Sequence, residues 1–361
     1  MTISLYELLE RVGIPIPLDL SNKEINNITF DSRKVKEGDL FIGLPGEKID
    51  GGIFWPNAIS EGAAAAIVGT NAANLRPILD QNILVIESIQ SFAGKLCSTF
   101  WDNPSSKISL IGITGTNGKT TITHLIEYLS KSLGVPSAVF GTLGNRWPGH
   151  AENSSYTTLF SDELQEKLFQ AVKAGSLIGA MEVSSHALAQ KRVAGCKFKG
   201  VIFTNLTQDH LDYHSSMDSY FEAKSLLFQE PLFDQLSNKA IINIDDIWGE
   251  RLAEKLAGRC WRCSLIANGS ESRDAELSIK VLETTSLGIK GILKSPLGEG
   301  TFLSPLVGDF NLMNLLQAIG SLLQQGFPLQ NLLDSIEDFP GVPGRMERVK
   351  VLDELRELNL P

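Results

Sequence analysis

The segment Gly112-Ile113-Thr114-Gly115-Thr116-Asn117-Gly118-Lys119-Thr120-Thr121 constrains the fold more than any other part of the chain. It joins an apolar, β-branched run at 108–114, which reads as a strand, to a stretch at 119–133. There Ile122, Leu125, Ile126, Leu129 and Leu133 recur at helical spacing, a stripe that buries against a sheet. Gly134 and Pro136 then stop the helix. A glycine-rich turn from strand into helix is the setting of a phosphate-binding loop. Glycines let backbone N–H groups turn onto a phosphate and the helix N-terminus adds partial positive charge; Lys119 can reach the outer phosphates and the Thr120 hydroxyl can ligate magnesium. The strict G-x-x-x-x-G-K-[ST] pattern fails, because Ile113 stands five residues before Gly118. The looser G-T-N-G-K-T form keeps the glycine pair and the Lys-Thr pair, and it outweighs the plain alternative of a capped turn because both flanks agree.

Further strands are expected at 137–140, 177–183, 199–205 and 239–244, alternating with helices at 161–174 and 218–228. That alternation implies parallel βαβ units, hence an α/β fold with a mostly parallel sheet. Residues 276–306 read as β hairpins and 311–337 as helical. The first 103 residues read as a smaller α/β unit, with an opening helix and short strands at 28–30, 39–44 and 65–68. At roughly 150 residues per domain, a chain of 361 residues suits two to three domains. The turn formers of Trp101–Ser106 mark a boundary, and Pro340-Gly341-Val342-Pro343-Gly344 reads as a linker. The expected domains are 1–103, 104–340 and a segment 341–361 able only to begin a third.

Composition excludes several classes. Thirty-two Lys+Arg against 42 Asp+Glu give a net charge of -10, so no global positive field exists for a nucleic-acid partner. Four scattered cysteines fit a reducing compartment, and Cys260-Trp261-Arg262-Cys263, a lone C-x-x-C pair, reads as two incidental thiols. The N-terminal MTISLYELLERVG lacks the pattern of a signal peptide, and no apolar run approaches the ~20 residues that cross a bilayer. A cytoplasmic protein without a membrane partner is expected.

Two more segments carry chemistry. Glu182, in Met181-Glu182-Val183-Ser184-Ser185-His186, ends an expected strand, and ligands of open α/β sheets bind beyond the carboxyl ends of strands. A carboxylate on that rim suits magnesium, which takes oxygen donors together with substrate phosphates. Asp209, His210, Asp212 and His214 follow the strand at 199–205. Zinc is the weaker reading, because Leu211 stands where H-E-x-x-H needs Glu; magnesium ligation or phosphate orientation at His210 is favoured. Asp31-Ser32-Arg33 reads by itself as a turn, and Asn311 and Asn314 as helix caps.

Together these residues resemble the Mur ligase family, most closely its MurE type. The likeness runs through Asp31-Ser32-Arg33, Gly115 to Thr121, Thr157-Thr158, Glu182 to Leu188, Gln190 and Arg192. It continues through Thr204 to His214, Lys224, Gly308-x-Phe310-Asn311, and Pro343-Gly344-Arg345-Met346-Glu347-Arg348-Val349. The resemblance implies an ATP- and Mg2+-dependent ligase that joins an amino acid, meso-diaminopimelate or lysine with the former favoured, to UDP-N-acetylmuramoyl-dipeptide in peptidoglycan synthesis. It implies a UDP-substrate-binding first domain, an ATP-binding second domain and a monomer, with most of a third domain missing. Ser32 resembles a uridine-nucleotide contact, and Thr157, Thr158, Ser184, Gln190 and Arg192 resemble the muramoyl-peptide contacts. Gly115, Thr116, Asn117, Gly118, Lys119, Thr120 and Thr121 match the ATP loop, and Asn311 and Arg345 lie where the family approaches adenosine. Lys119, His210 and Lys224 match catalytic positions; Thr120, Glu182, His210 and a carbamylated Lys224 match magnesium-site positions. Two departures stand out: Thr157-Thr158-Leu159 replaces Thr-Thr-Pro, and the Asp-Asn-Pro-containing specificity motif is absent. The alternatives are a truncated nucleotide-binding fragment without turnover, or a related Mur or folylpolyglutamate ligase.

Overall fold

A computed structural model describes residues 1–46, 48–75, 80–266, 274–285 and 288–344. The chain opens with β1 (Ile3–Ser4) and α1 (Leu5–Val12), a helix capped by the Ser4 hydroxyl and ended by left-handed Gly13. β2 (Glu24–Ile25) pairs back on β1. β3 (Asn27–Thr29), β4 (Asp39–Gly43), β5 (Ala65–Val68) and β6 (Ile83–Val85) form a parallel sheet in that order. Because side chains alternate along a strand, Phe41 of β4 faces a core with α2 (Trp55–Ser60) and α3 (Thr70–Leu75). Leu40 and Ile42 face the opposite core, built with α1 and α4 (Ile89–Phe100). Burial on both faces explains the nearly unbroken apolar runs of these strands.

After a short turn at Pro104–Ser106 come β7 (Ser109–Thr114), α5 (Lys119–Ser132), β8 (Ser137–Gly141), β9 (Gly144–Trp147), β10 (His150–Glu152) and α6 (Ser161–Lys173). β11 (Ile178–Glu182), α7 (Ser185–Ala189), β12 (Gly200–Phe203), α8 (Met217–Ser225), β13 (Ala240–Asn243), α9 (Ile247–Leu256) and β14 (Cys260–Ile266) follow. A meander of β15 (Leu277–Thr285), β16 (Gly288–Ser295) and β17 (Gly298–Ser304) leads to α10 (Asp309–Gln324) and α11 (Leu329–Ser335). All these strands join one eleven-stranded sheet, ordered β10-β9-β8-β11-β7-β12-β13-β14-β15-β16-β17. The run from β8 to β15 is parallel, and antiparallel ribbons extend both ends.

Ile111, Ile113, Ile202 and Ile241 face α5, α10 and α11, while Leu110, Met181, Val201 and Ile242 face α6, α8 and α9. The chain passes from β11 on one side of β7 to β12 on the other. A crevice therefore opens at the carboxyl ends of these three strands, where ligands of such sheets bind. Cys260 and Cys263 are buried on opposite faces of the sheet and cannot meet, in keeping with two incidental thiols. The expected helix at 218–228 ends as helix at Ser225 and tightens into a 3-10 turn, Leu226–Phe228. The expected helical stretch at 311–337 is two helices, parted around Gly326-Phe327-Pro328, because the left-handed glycine and the proline cannot continue a helix.

The two sheets meet where α4 and the loop after β3 pack on α6. Trp101 and Phe169 bring their rings within 5.1 Å, and Lys34 pairs with Glu163 at 2.9 Å. Between them the Phe30 N–H donates to Asp162 Oδ2 at 2.9 Å, while Asp162 Oδ1 is buried without a hydrogen-bond partner. Burial pushes the Asp162 carboxyl from its ordinary 3.8 up to about 6. Between those two pH values the folded chain holds a proton that the unfolded chain has lost, so this contribution to stability is present below 3.8 and is lost as pH rises through about 6. Asp162→Asn, which keeps a carbonyl oxygen for Phe30, is expected to raise stability at pH 7 by on the order of 2–3 kcal/mol and to leave it unchanged near pH 4. Urea unfolding at both pH values measures this; equal effects at the two would refute it.

Candidate active site

The glycine-rich loop closes because two of its residues lack a Cβ. Gly115 has φ +143°, and a Cβ there would lie 1.9 Å from Thr204 Oγ1. Gly118 has φ +92°, and its Cβ would lie 2.4 Å from Asn314 Oδ1. The segment after β12 holds the loop in return: Thr116 N–H donates to Asn205 O and Asn117 N–H to Asn205 Oδ1, both at 2.9 Å. The Thr204 hydroxyl donates to Asn117 O at 2.5 Å. Gly118 caps α5 with no side-chain hydrogen bond, leaving the first-turn amides and the positive end of the helix dipole to face the crevice. Beside the loop lies a cleft of about 880 Å³, with Asn117, Asp245, Phe310 and Asn314 among its walls.

Lys119 donates to Gly115 O and Thr116 O, each at 2.9 Å. Lys224, on α8 and only 1% exposed, reaches the same Gly115 O at 2.9 Å. Burial, and then the nearby Lys119 charge, hold the Lys224 ammonium well below the usual lysine range. The Tyr220 ring centroid lies 4.6 Å from Lys224 Nζ, and its hydroxyl lies 3.4 Å from Thr116 Oγ1. The Thr120 hydroxyl donates to Glu182 Oε1 at 3.1 Å, so two expected metal-site residues meet. Glu182, 1% exposed at the end of β11, also accepts from the Thr142 N–H at 3.0 Å and the Thr142 hydroxyl at 3.1 Å. Thr142 was not singled out by sequence; its place just past β8, on the rim that holds Glu182, is the signal that could have found it.

His210 adopts φ +52°, and its ring meets those of His186 at 4.9 Å and Tyr220 at 6.1 Å. His214 is buried, with Nε2 2.9 Å from Ser185 Oγ, and burial foremost lowers the pKa of both His186 and His214. Asn311 and Asn314 do not cap α10, whose N-cap is Gly308. Asn311 Nδ2 instead donates to Val307 O at 2.9 Å, and Asn314 is buried against Gly118. Arg345 lies outside the described residues.

A second cluster occupies the same rim. The Thr157 hydroxyl lies 3.1 Å from Thr142 Oγ1 and is the donor of that pair, since the one Thr142 hydrogen goes to Glu182. The buried Thr158 hydroxyl donates to Glu182 O at 2.8 Å and accepts from the Ser184 N–H at 3.0 Å. Ser184 Oγ caps α7 through the Ala187 N–H. Arg192 donates to Thr158 O at 3.0 Å and to Gln190 Oε1 at 2.6 Å, with its guanidinium 3.9 Å above the Phe160 ring. Ser32 sits in the turn that docks on α6 through Phe30–Asp162 and Lys34–Glu163, and Ser161 Oγ of that helix donates to Arg192 O at 2.7 Å. Five residues expected to hold one substrate thus share one bonded network, and Ser32 lies in the turn whose neighbours Phe30 and Lys34 bind α6.

Family models agree with this architecture: "Mur ligase middle domain" matches residues 113–322 and "Mur ligase family, catalytic domain" matches residues 24–101. A UDP-N-acetylmuramoyl-L-alanyl-D-glutamate--2,6-diaminopimelate ligase of Synechococcus sp. (strain WH7803) is 54% identical over 351 residues, covering 97% of this chain and 69% of that protein. The chain belongs to the Mur ligase family. A protein of the same name from Prochlorococcus marinus (strain MIT 9313) is 55% identical over 353 residues, covering 97% of this chain and 70% of its own. A solved structure of a ligase of that name superposes with a TM-score of 0.81 at 31% identity, over 97% of this chain and 69% of that one. No helix among the described residues is long and apolar enough to cross a membrane.

In this Mur ligase, Gly115→Ala combines a disfavoured positive φ with a clash, and is expected to destabilise the chain by about 2–4 kcal/mol. Because the clash is with Thr204 Oγ1, Thr204→Ala should rescue the variant by ~1 kcal/mol or more in a double-mutant cycle. Strict additivity in denaturant unfolding would contradict the closure described above.

Proposed function

We propose that this chain carries out the work named for its relatives: ATP-driven amide-bond formation between UDP-N-acetylmuramoyl-L-alanyl-D-glutamate and meso-2,6-diaminopimelate, a step of peptidoglycan synthesis. The observation that carries this reading is the convergence of Lys119 and Lys224 on the Gly115 carbonyl, beside the Thr120–Glu182 contact and the Thr158–Arg192 network. The Lys119 ammonium at the open N-terminus of α5, with Lys224 held against the same carbonyl, forms a receptor for a polyphosphate. In this reading Gly115 to Thr121 cradle the phosphates, and the cleft walled by Phe310 and Asn314 takes the nucleoside, with Asn311 in the same turn of helix; the family resemblance adds Arg345 to the adenosine contacts. Thr157, Thr158, Ser184, Gln190 and Arg192 hold the peptide portion, and Ser32 meets the uridine nucleotide.

The γ-phosphoryl group passes to the free glutamyl carboxylate, giving an acyl phosphate, and the incoming amine displaces phosphate. Such chemistry needs positioning and charge neutralisation rather than a protein nucleophile. Lys119 supplies a fixed positive charge, and Arg192, stacked and bonded, supplies a rigid anion clamp. Thr120 and Glu182 offer the oxygen donors that magnesium takes, with His210 and a carbamylated Lys224 completing the set; the metal would supply further neutralisation of phosphate charge. Burial shifts Lys224 toward the neutral amine, which is the form that reacts with carbon dioxide. We place the domain boundaries at 103/104 and 340/341, and read the protein as a cytoplasmic monomer.

Isothermal titration of the chain with UDP-N-acetylmuramoyl-dipeptide and with a folate substrate tests the substrate class. Binding of the former alone is expected; binding of the folate alone would overturn the reading. Lys119→Ala should lower ATP affinity or phosphoryl transfer by at least ~100-fold, as expected for a charge removed from a transferring phosphate. Lys224→Ala should be inactive with or without bicarbonate, and an active variant would remove the carbamate from the mechanism.

A further inference from the structure

Away from the rim, the junction of the two sheets encloses a cavity of about 810 Å³, between α4, the loop after α7 and the residues that follow α8. Its volume is within the range of small-molecule sites. Its charged lining is one-sided: Arg11, Lys95, Lys191 and Lys197 against a single carboxylate, Glu230. Arg11 is answered by Glu7, which leaves three lysines facing one acid in a chain of net charge -10. Among the described residues, none of these lysines forms a salt bridge. Lys95 Nζ donates to Val12 O at 2.8 Å and Lys191 Nζ to Ser91 Oγ at 2.7 Å, neutral partners that leave the positive charge in place. Cations gathered along one concave surface, exposed as these are, still sum to a local positive field that favours an anion.

The cavity is also built rather than incidental. α4 and the loop after α7 touch backbone to backbone: a Cβ on Gly94 would lie 2.1 Å from Ala194 O, and one on Gly195 would lie 2.4 Å from Gly94 O. Ser98 Oγ ties the floor by donating to Gly195 O at 2.9 Å. Buried Leu188 and Val193 give an apolar wall, and Lys191 stands in the left-handed region at φ +56°, turned to the side opposite its neighbours' bonded network. A preformed wall of this kind spares a ligand much of the ordering cost. None of these residues belongs to the phosphate loop or to the Thr158–Arg192 cluster.

We propose that this junction cavity is a second ligand site, one that takes an organic anion with an apolar body: the anionic group between Lys95, Lys191 and Lys197, and the apolar part against Leu188 and Val193. The probe pair 8-anilinonaphthalene-1-sulfonate and its uncharged analogue N-phenyl-1-naphthylamine separates charge recognition from plain hydrophobic binding. In a fluorescence titration of the 361-residue chain, the sulfonate should bind saturably and at least ~10-fold more tightly than the neutral analogue. Lys191→Glu with Lys197→Glu should weaken the sulfonate at least ~10-fold, whereas the charge-matched Lys23→Glu with Lys173→Glu should leave it within ~2-fold. Excess magnesium ATP should not displace the probe. If the reversal variant melts early, Lys191→Gln with Lys197→Gln replaces it, with a loss of ~3-fold or more expected. Equal affinity for the two probes, equal loss in both charge-reversed pairs, displacement by ATP, or no saturable binding would each overturn the proposal.

Discussion

One carbonyl oxygen organises the centre of this protein. Gly115 O receives both Lys119, from the first turn of α5, and Lys224, from α8 on the opposite face of the sheet. Two ammonium groups on a single acceptor repel each other, and the repulsion is relieved if one loses its charge or if an anion arrives between them. The fold makes the first response possible by burying Lys224, and the open end of α5 makes the second possible. The arrangement depends on Gly115 lying against Thr204 with no Cβ between them. Loop, helix and neighbouring strand are therefore one mechanical unit.

That unit needs strands that end at one level. β7, β11 and β12 lie side by side and parallel, so the loop, Glu182 and Thr204 all emerge on one edge. A parallel sheet buried on both faces pays for its alignment with two hydrophobic layers, and the two large cores supply them. The smaller sheet is then joined at a different place, through α4 and α6, where a buried carboxyl, close glycine contacts and a cation-lined cavity lie together. Lys191 links the two regions, since Gln190 and Arg192 on either side of it belong to the rim network.

Much of this was legible in the sequence. Strand–loop–helix punctuation around Gly115, the helical stripe of Ile122 to Leu133, and the carboxyl-end position of Glu182 depend on local spacing, and each kept its meaning in the fold. What failed to show included β6, β9 and β10, strands of three or four residues, too short for a period to appear, and also the longer α9 and β14, both passed over at 245–275. Asn311 and Asn314 misled as caps because a cap is identified by a backbone conformation, which composition does not reveal. Thr142 and Tyr220 carried no motif of their own; they matter through what they touch.

The sequence by itself determined the alternation of strands and helices, the glycine-rich turn between β7 and α5 and the kinds of residue available to hold an anion or a metal, because these follow from short-range spacing and side-chain type. Only the tertiary structure decided that Lys224 is buried and shares a carbonyl with Lys119, that Thr120 meets Glu182, and that cations from three distant segments line one junction cavity. The physical reason is that burial and charge proximity are properties of three-dimensional neighbours. A lysine reads the same in any sequence, and its charge is set by what packs around it.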